Sequence, residues 1–203
     1  MAYTVEEIKN DISTLSSKDF YLKHILRSDN WYFEKKLNVG KEGAVRLTDD
    51  LRAIISQSLG ISFNNISIVG SSKTGCSLTP PKKGKSKLFR QFDEETSDID
   101  IAIVSDRLFQ MFWGLFRSSY SKVYSYDYGY ISRAIYRGYI SEEHLDLIDG
   151  CRKQWNERAV DSKRLLRNTL YIQPQITYRL YRGWEDFEEY HIQSIDDIKK
   201  GVL

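Results

Sequence analysis

Cysteine is scarce: Cys76 and Cys151 are the only two in 203 residues. That excludes a disulfide framework and a cysteine-built zinc site, and both read as free thiols. No apolar run approaches the ~20 residues that a membrane-crossing helix needs. The start, Met1-Ala2-Tyr3-Thr4-Val5-Glu6-Glu7, lacks the basic and apolar regions of a secretory signal, so the expectation is a cytoplasmic protein. Neither sign of charge dominates. Thirty Lys and Arg against 28 Asp and Glu leave a formal charge of +2, which gives no global basic field for duplex DNA. His24, His144 and His191 show no metal-ligand spacing and read as surface or packing residues.

What is present is globular. Hydrophobic residues at 41% and charged residues at 29% exclude disorder. The length suits one core, so a single domain over 1–203 is expected, with a helical N-terminal part over 1–60 and the remainder over 61–203. Fourteen Tyr and four Trp can stack bases, but in a chain this size most pack a core.

Val5, Ile8, Ile12 and Leu15 recur at helical spacing, as do Phe20, Leu22, Ile25 and Leu26. Trp31, Tyr32 and Phe33 precede a turn punctuated by Gly40 and Gly43, and a helix is expected from about Arg46 to Leu59, stopped by Gly60. The pattern then changes. Ile66-Ser67-Ile68-Val69 is a β-branched run ending at Gly70 and reads as a strand. A polar stretch over 71–97 carries Lys82, Lys83, Lys85, Lys87 and Arg90, read as a solvated mobile loop in preference to a nucleic-acid or triphosphate clamp. The clearest strand is Asp98-Ile99-Asp100-Ile101-Ala102-Ile103-Val104, followed by helical patterns at Leu108–Leu115, Glu142–Trp155 and Ser162–Leu170. Asp161 reads as the cap of the last of these. Ile176–Tyr181 reads as a third strand, with helical turns through Ile198 after it, and the Tyr-rich stretch from Tyr120 to Tyr139 carries no clear pattern.

Alternate residues of a strand share a face, so Asp98 and Asp100 project together while Ile99, Ile101 and Ile103 face a core. Two neighbouring half-buried carboxylates repel each other, and a hard divalent cation, Mg2+ or Mn2+, is the usual counterweight. Just after the first strand, Gly70-Ser71-Ser72-Lys73-Thr74-Gly75 offers small residues whose backbone N–H groups and hydroxyls can approach phosphate oxygens. Gly70, Ser71, Lys73 and Thr74 are therefore candidate nucleotide-binding residues. A phosphate cradle beside a metal-binding carboxylate pair is the equipment of two-metal phosphoryl transfer.

Gly70-Ser71 followed by Ser97-Asp98-Ile99-Asp100-Ile101 resembles the signature of the DNA polymerase β-like nucleotidyltransferase superfamily. Over Ile66–Thr79, Ser97–Phe109 and Tyr178–Ile195 the chain is also similar to small bacterial nucleotidyltransferases of anti-phage loci, of which the Hailong-type defence enzymes are the nearest functional example. The resemblance implies an α/β (α+β) fold with a small mixed sheet flanked by helices, and nucleotidyl transfer from a triphosphate. It further implies oligomerisation of deoxyATP into single-stranded DNA primed by a tyrosine, with the product restraining a membrane effector partner. Tyr190, the last tyrosine, is the candidate primer, with packing in a terminal helix as its plainer role. Two departures stand out. The spacing from Gly70 to Asp98 is long, and Ile176–Tyr181 lacks the superfamily's third carboxylate, leaving Gln175 and Thr177 in its place and Glu185 and Asp186 just beyond. Modification of a toxin protein or of tRNA, and an inactive nucleotide-binding regulatory module, are the alternatives.

Overall fold

The computed structural model describes residues 2–79 and 87–202. It is a mixed α+β structure whose four-stranded sheet has the order β1-β2-β4-β3. Strand β2 (Ile99–Val104) pairs antiparallel with β1 (Ile66–Val69) and parallel with β4 (Ile176–Tyr181), and β3 (Tyr139–Ser141) pairs antiparallel with the far edge of β4.

The alternation along β2 sorts two cores. Ile99, Ile101 and Ile103 enter one hydrophobic cluster, together with residues of α3 (Gly40–Leu59), α5 (Asp106–Ser118) and α8 (Asp149–Leu170). Ala102 and Val104 enter the other, with Val69, Tyr181 and residues of α1 (Val5–Thr14), α2 (Ser17–Phe20) and α9 (Trp184–Val202). Asp100 shares this second face, at the strand end where the packing opens. Two short elements border that opening, α4 (Gly70–Thr74) after β1 and α7 (Glu142–Asp146) after β3, while α6 (Ser125–Tyr136) leads into β3. No helix among the described residues is long and apolar enough to cross a membrane.

Several sequence expectations need correction. Helix α3 begins at Gly40, not near Arg46. Gly43 lies inside it, where a β-carbon would come 2.9 Å from Val39 Cβ, so the first turn suits a residue without a side chain. Its end at Gly60, with φ of 61°, is as read. Leu22 and Leu26 are exposed, because Tyr21–Leu26 winds as a π-helix and turns Tyr21, His24 and Ile25 inward instead. The pattern read as helices over Glu142–Trp155 and Ser162–Leu170 divides earlier, into α7 over Glu142–Asp146 and one continuous α8 over Asp149–Leu170. Asp161 is interior to it and pairs with Arg164 at 2.9 Å, so it caps nothing. The Tyr-rich stretch forms α6 and β3. Both cysteines are buried free thiols. Lys82, Lys83 and Lys85, read as part of a mobile loop, lie outside the described residues.

Candidate functional site

The opening at the β2–β4 end is a cleft of about 610 Å³, lined by Gly70, Ser71, Asp98, Asp100, Glu143, Thr177, Arg179, Tyr190 and His191 among others. A volume of this order suits a small-molecule ligand.

Asp100 is the centre of it. The β1–β2 register sets Val69 opposite Asp100, so the chain leaving β1 turns directly against its carboxylate. Gly70 makes that approach possible. Its φ is +69°, and a β-carbon there would lie 2.3 Å from Asp100 Oδ2. On the other side Thr177, opposite Asp100 across β2–β4, donates its hydroxyl to Asp100 Oδ1 at 2.9 Å. The carboxylate is thus positioned by backbone on one side and a hydroxyl on the other. Asp98, just ahead of β2, joins it in the cleft.

The electrostatics of this pair are unbalanced. Burial, then the negative charge of Glu143, push the Asp98 carboxyl above the usual carboxylate range, with Lys87 and Lys163 pulling back. Burial likewise raises Asp100, opposed by the Thr177 hydrogen bond and Arg179 and reinforced by Asp98 and Glu143. Removing two carboxylates from water beside one another costs free energy that a bound cation would offset. The donor set fits a hard divalent ion of the Mg2+ type, with Asp98 and Asp100 as its protein ligands and phosphate oxygens or water completing the shell. Among the described residues no group of three or more His, Cys, Asp or Glu could hold a metal ion.

The residue opposite Asp100 on β4 is Thr177, and no carboxylate stands at that register. Glu185 and Asp186 do not line the cleft. Asp186 pairs with Arg182 at 2.6 Å and packs over Gly138. Glu143, on α7, was not legible as a site residue. Its approach to the Asp pair depends on β3 docking at the far edge of β4, and a three-residue strand leaves no alternation to read.

The Gly-Ser segment divides. Gly70 and Ser71 line the cleft, and among the described residues nothing bonds the Ser71 hydroxyl. Lys73 and Thr74 do not line it. Lys73 is buried, and its ammonium donates to the carbonyls of Arg27 and Asp29, with burial pushing its pKa down to about 8. Thr74 donates to the carbonyls of Gly70 and Cys76 at 3.2 and 2.8 Å. The reason is the winding of 70–74 as a helical turn, which sends successive side chains to different sides. Both side chains fasten α4 in place. Conversely, Lys87 and Arg90, from the described end of the basic stretch, line the cleft, held there by Phe89 N–H to Ser77 O and Ser77 N–H to Arg90 O, both 2.8 Å.

Tyr190 also lines the cleft, but from the second turn of α9 and not from a loose chain end. Its hydroxyl accepts a hydrogen bond from Arg179 Nη1 at 2.6 Å, and its ring meets Tyr139, Tyr181 and His191 edge-on. His24 and His144 are held by side-chain partners, and His191 packs edge-on against Phe187 and Tyr190 at the cleft. His24 bonds Asp11 at 2.7 Å and His144 bonds Ser141 at 2.6 Å.

The free Ser71 hydroxyl gives a first prediction. If the cleft takes a triphosphate, Ser71→Val should weaken its binding by more than the ~1 kcal/mol of one lost hydrogen bond, because branching at Cβ also crowds the phosphate approach. Titration calorimetry reads it, and normal affinity would place the phosphates away from α4.

No protein-family model, no curated protein and no solved structure matches this chain.

Proposed function

We propose that this chain is a metal-dependent nucleotidyltransferase with a polymerase β-like core, acting on a nucleoside triphosphate. The observation that carries the reading is the seating of the Asp100 carboxylate against Gly70, with Ser71 and Asp98 in the same cleft. That arrangement sets a metal-binding carboxylate pair beside a surface small enough to admit phosphates.

In this reading Asp98 and Asp100 hold Mg2+ or Mn2+, which supplies Lewis-acid stabilisation of charge developing on the phosphates. Thr177 fixes the Asp100 carboxylate through its hydrogen bond. Gly70 lets the backbone approach, and Ser71 donates its hydroxyl to a phosphate oxygen. An acceptor hydroxyl bonds to the α-phosphorus as the bond to pyrophosphate breaks, and its proton leaves to solvent. Lys87 and Arg90 add positive charge along the cleft wall. The resemblance in the sequence favours deoxyATP as substrate, a single-stranded oligodeoxyadenylate as product, a role in anti-phage defence and a membrane effector as partner. Tyr190 lies in the cleft with the carboxylates, a placement that supports it as a self-priming acceptor.

Incubation with each ribo- and deoxynucleoside triphosphate and Mg2+, followed by chromatography and intact-mass measurement, tests this. Pyrophosphate and oligomer are expected, and priming by Tyr190 adds whole nucleotide units to the protein, lost in Tyr190→Phe. Adducts on a toxin protein or on tRNA instead would change the acceptor and leave the chemistry. One observation favours a second reading: Thr177, not a carboxylate, stands opposite Asp100, which suits a module that binds nucleotide without turning it over. Tight binding with no product from any triphosphate would select it.

A further inference from the structure

Beyond the carboxylates, the cleft holds a cation that the transfer chemistry above does not use. Thr177, Arg179 and Tyr181 alternate along one face of β4, from the Asp100 contact at Thr177 to the wholly buried Tyr181. Arg179 therefore lies one step deeper than the metal-binding pair. Burial of a guanidinium demands partners. Its Nη1 donates to Tyr190, and its head stacks 5.0 Å from the Tyr190 ring centre and 5.4 Å from that of Tyr139. Its Nε is buried without a well-directed hydrogen bond, and the wholly buried Tyr181 hydroxyl, likewise without one, lies against the same guanidinium. Among the described residues no carboxylate forms an ion pair with it.

A second orphan lies nearby. His191 Nε2 is buried without a partner, on a residue that also lines the cleft beside Tyr190. Tyr190 accepts its hydrogen bond from Arg179, which leaves its own hydroxyl proton to donate elsewhere. Tyr190 and His191 thus keep unused polar capacity beside one half-buried positive charge. Acceptor oxygens carrying negative charge complete such a set, and the guanidinium fork matches phosphate geometry.

We propose that Arg179, Tyr190 and His191 form an oxyanion subsite at the inner end of the cleft, which takes a phosphate group of the nucleotide. This rests on the nucleotide reading for the identity of the phosphate's carrier, but the subsite is defined by its own residues. It gives Tyr190 a role besides that of acceptor, as the group that orients Arg179.

Calorimetry on the full chain tests it with four probes: inorganic phosphate and pyrophosphate without metal, deoxyadenosine, and deoxyATP with Ca2+ to suppress turnover. Arg179→Gln should weaken pyrophosphate and deoxyATP tenfold or more and leave deoxyadenosine within twofold. Binding of inorganic phosphate as tight as that of deoxyATP would make free phosphate the ligand in place of the nucleotide's tail, and overturn that assignment. His191→Phe and Tyr190→Phe, which keep Arg179, should each weaken pyrophosphate severalfold, and they decide the matter if Arg179→Gln does not fold by circular dichroism. A wild-type chain that does not bind pyrophosphate, or equal affinity in all folded variants, overturns the subsite and leaves water as the partner of the orphaned nitrogens. The two proposals fail separately. Arg179-dependent pyrophosphate binding without turnover of any triphosphate sinks the transferase reading alone. Turnover with pyrophosphate affinity indifferent to all three variants sinks the subsite alone.

Discussion

Asp100→Asn is expected to reduce nucleotide turnover by ~10³-fold or more while making the metal-free protein more stable. The loss follows from the charge. A divalent ion contributes several kcal/mol to transition-state stabilisation, each ~1.4 kcal/mol of which is a factor of ten. Asn keeps the acceptor for Thr177 but binds Mg2+ poorly. The gain in stability follows from the same position. Because burial raises the Asp100 pKa in the fold, the folded chain binds this proton more tightly than the unfolded chain does. That contribution is fully present below the unfolded pKa and is lost as pH rises through the folded value. At neutral pH the wild type therefore bears the cost of a charged, half-buried carboxylate that the variant lacks. About 1 kcal/mol would appear as a melting shift of roughly 2–4 °C for a chain of this size. The difference should shrink as pH falls into the carboxylate range and reverse in sign when Mg2+ is added. Thermal melts at two pH values, with and without Mg2+, read all three effects. Asp98→Asn should follow the same pattern. Undiminished turnover in both variants would remove the mechanism.

Gly70→Ala is expected to be nearly as damaging, through geometry and not charge. The added methyl would sit 2.3 Å from Asp100 Oδ2 and 3.1 Å from its Cγ, on a residue whose φ of +69° disfavours any side chain. Either the Asp100 carboxylate moves off its Thr177 contact or α4 separates from β2. The strain should cost on the order of 1–3 kcal/mol of stability. Displacing a catalytic group by ~1 Å can cost ~10²-fold in rate. Turnover and stability should fall together, and a stable variant with full turnover would show that Asp100 does not act from this position.

The parts of the site legible in the sequence are those carried by local pattern. The β-branched runs at 66–69 and 99–104 announce their strands, and the alternation Asp98-Ile99-Asp100-Ile101 says which residues face the core. Gly60 ends its helix in the left-handed conformation as read. What sequence alone left hidden depends on long-range docking. Lys73 follows Ser71 by two residues, but a helical turn sends its ammonium toward Arg27 and Asp29 and away from the cleft. Glu143 reaches the carboxylate pair only because β3 pairs with β4, and the half-buried Arg179 guanidinium meets Tyr190 only because α9 lays that ring over it. The start of α3 at Gly40 was obscured for a different reason. Glycine's low helix propensity is a weak local preference, and the helix runs through Gly40 and Gly43 despite it.

The most direct test of the central claim is anomalous diffraction from crystals grown with Mn2+ and a non-hydrolysable deoxyATP analogue. The account predicts Mn2+ coordinated by the carboxylates of Asp98 and Asp100 and by phosphate oxygens, at the ~2.0–2.2 Å of such bonds, with the phosphates against Gly70 and Ser71. A nucleotide seated elsewhere, or one in the cleft with no metal on either aspartate, would contradict it.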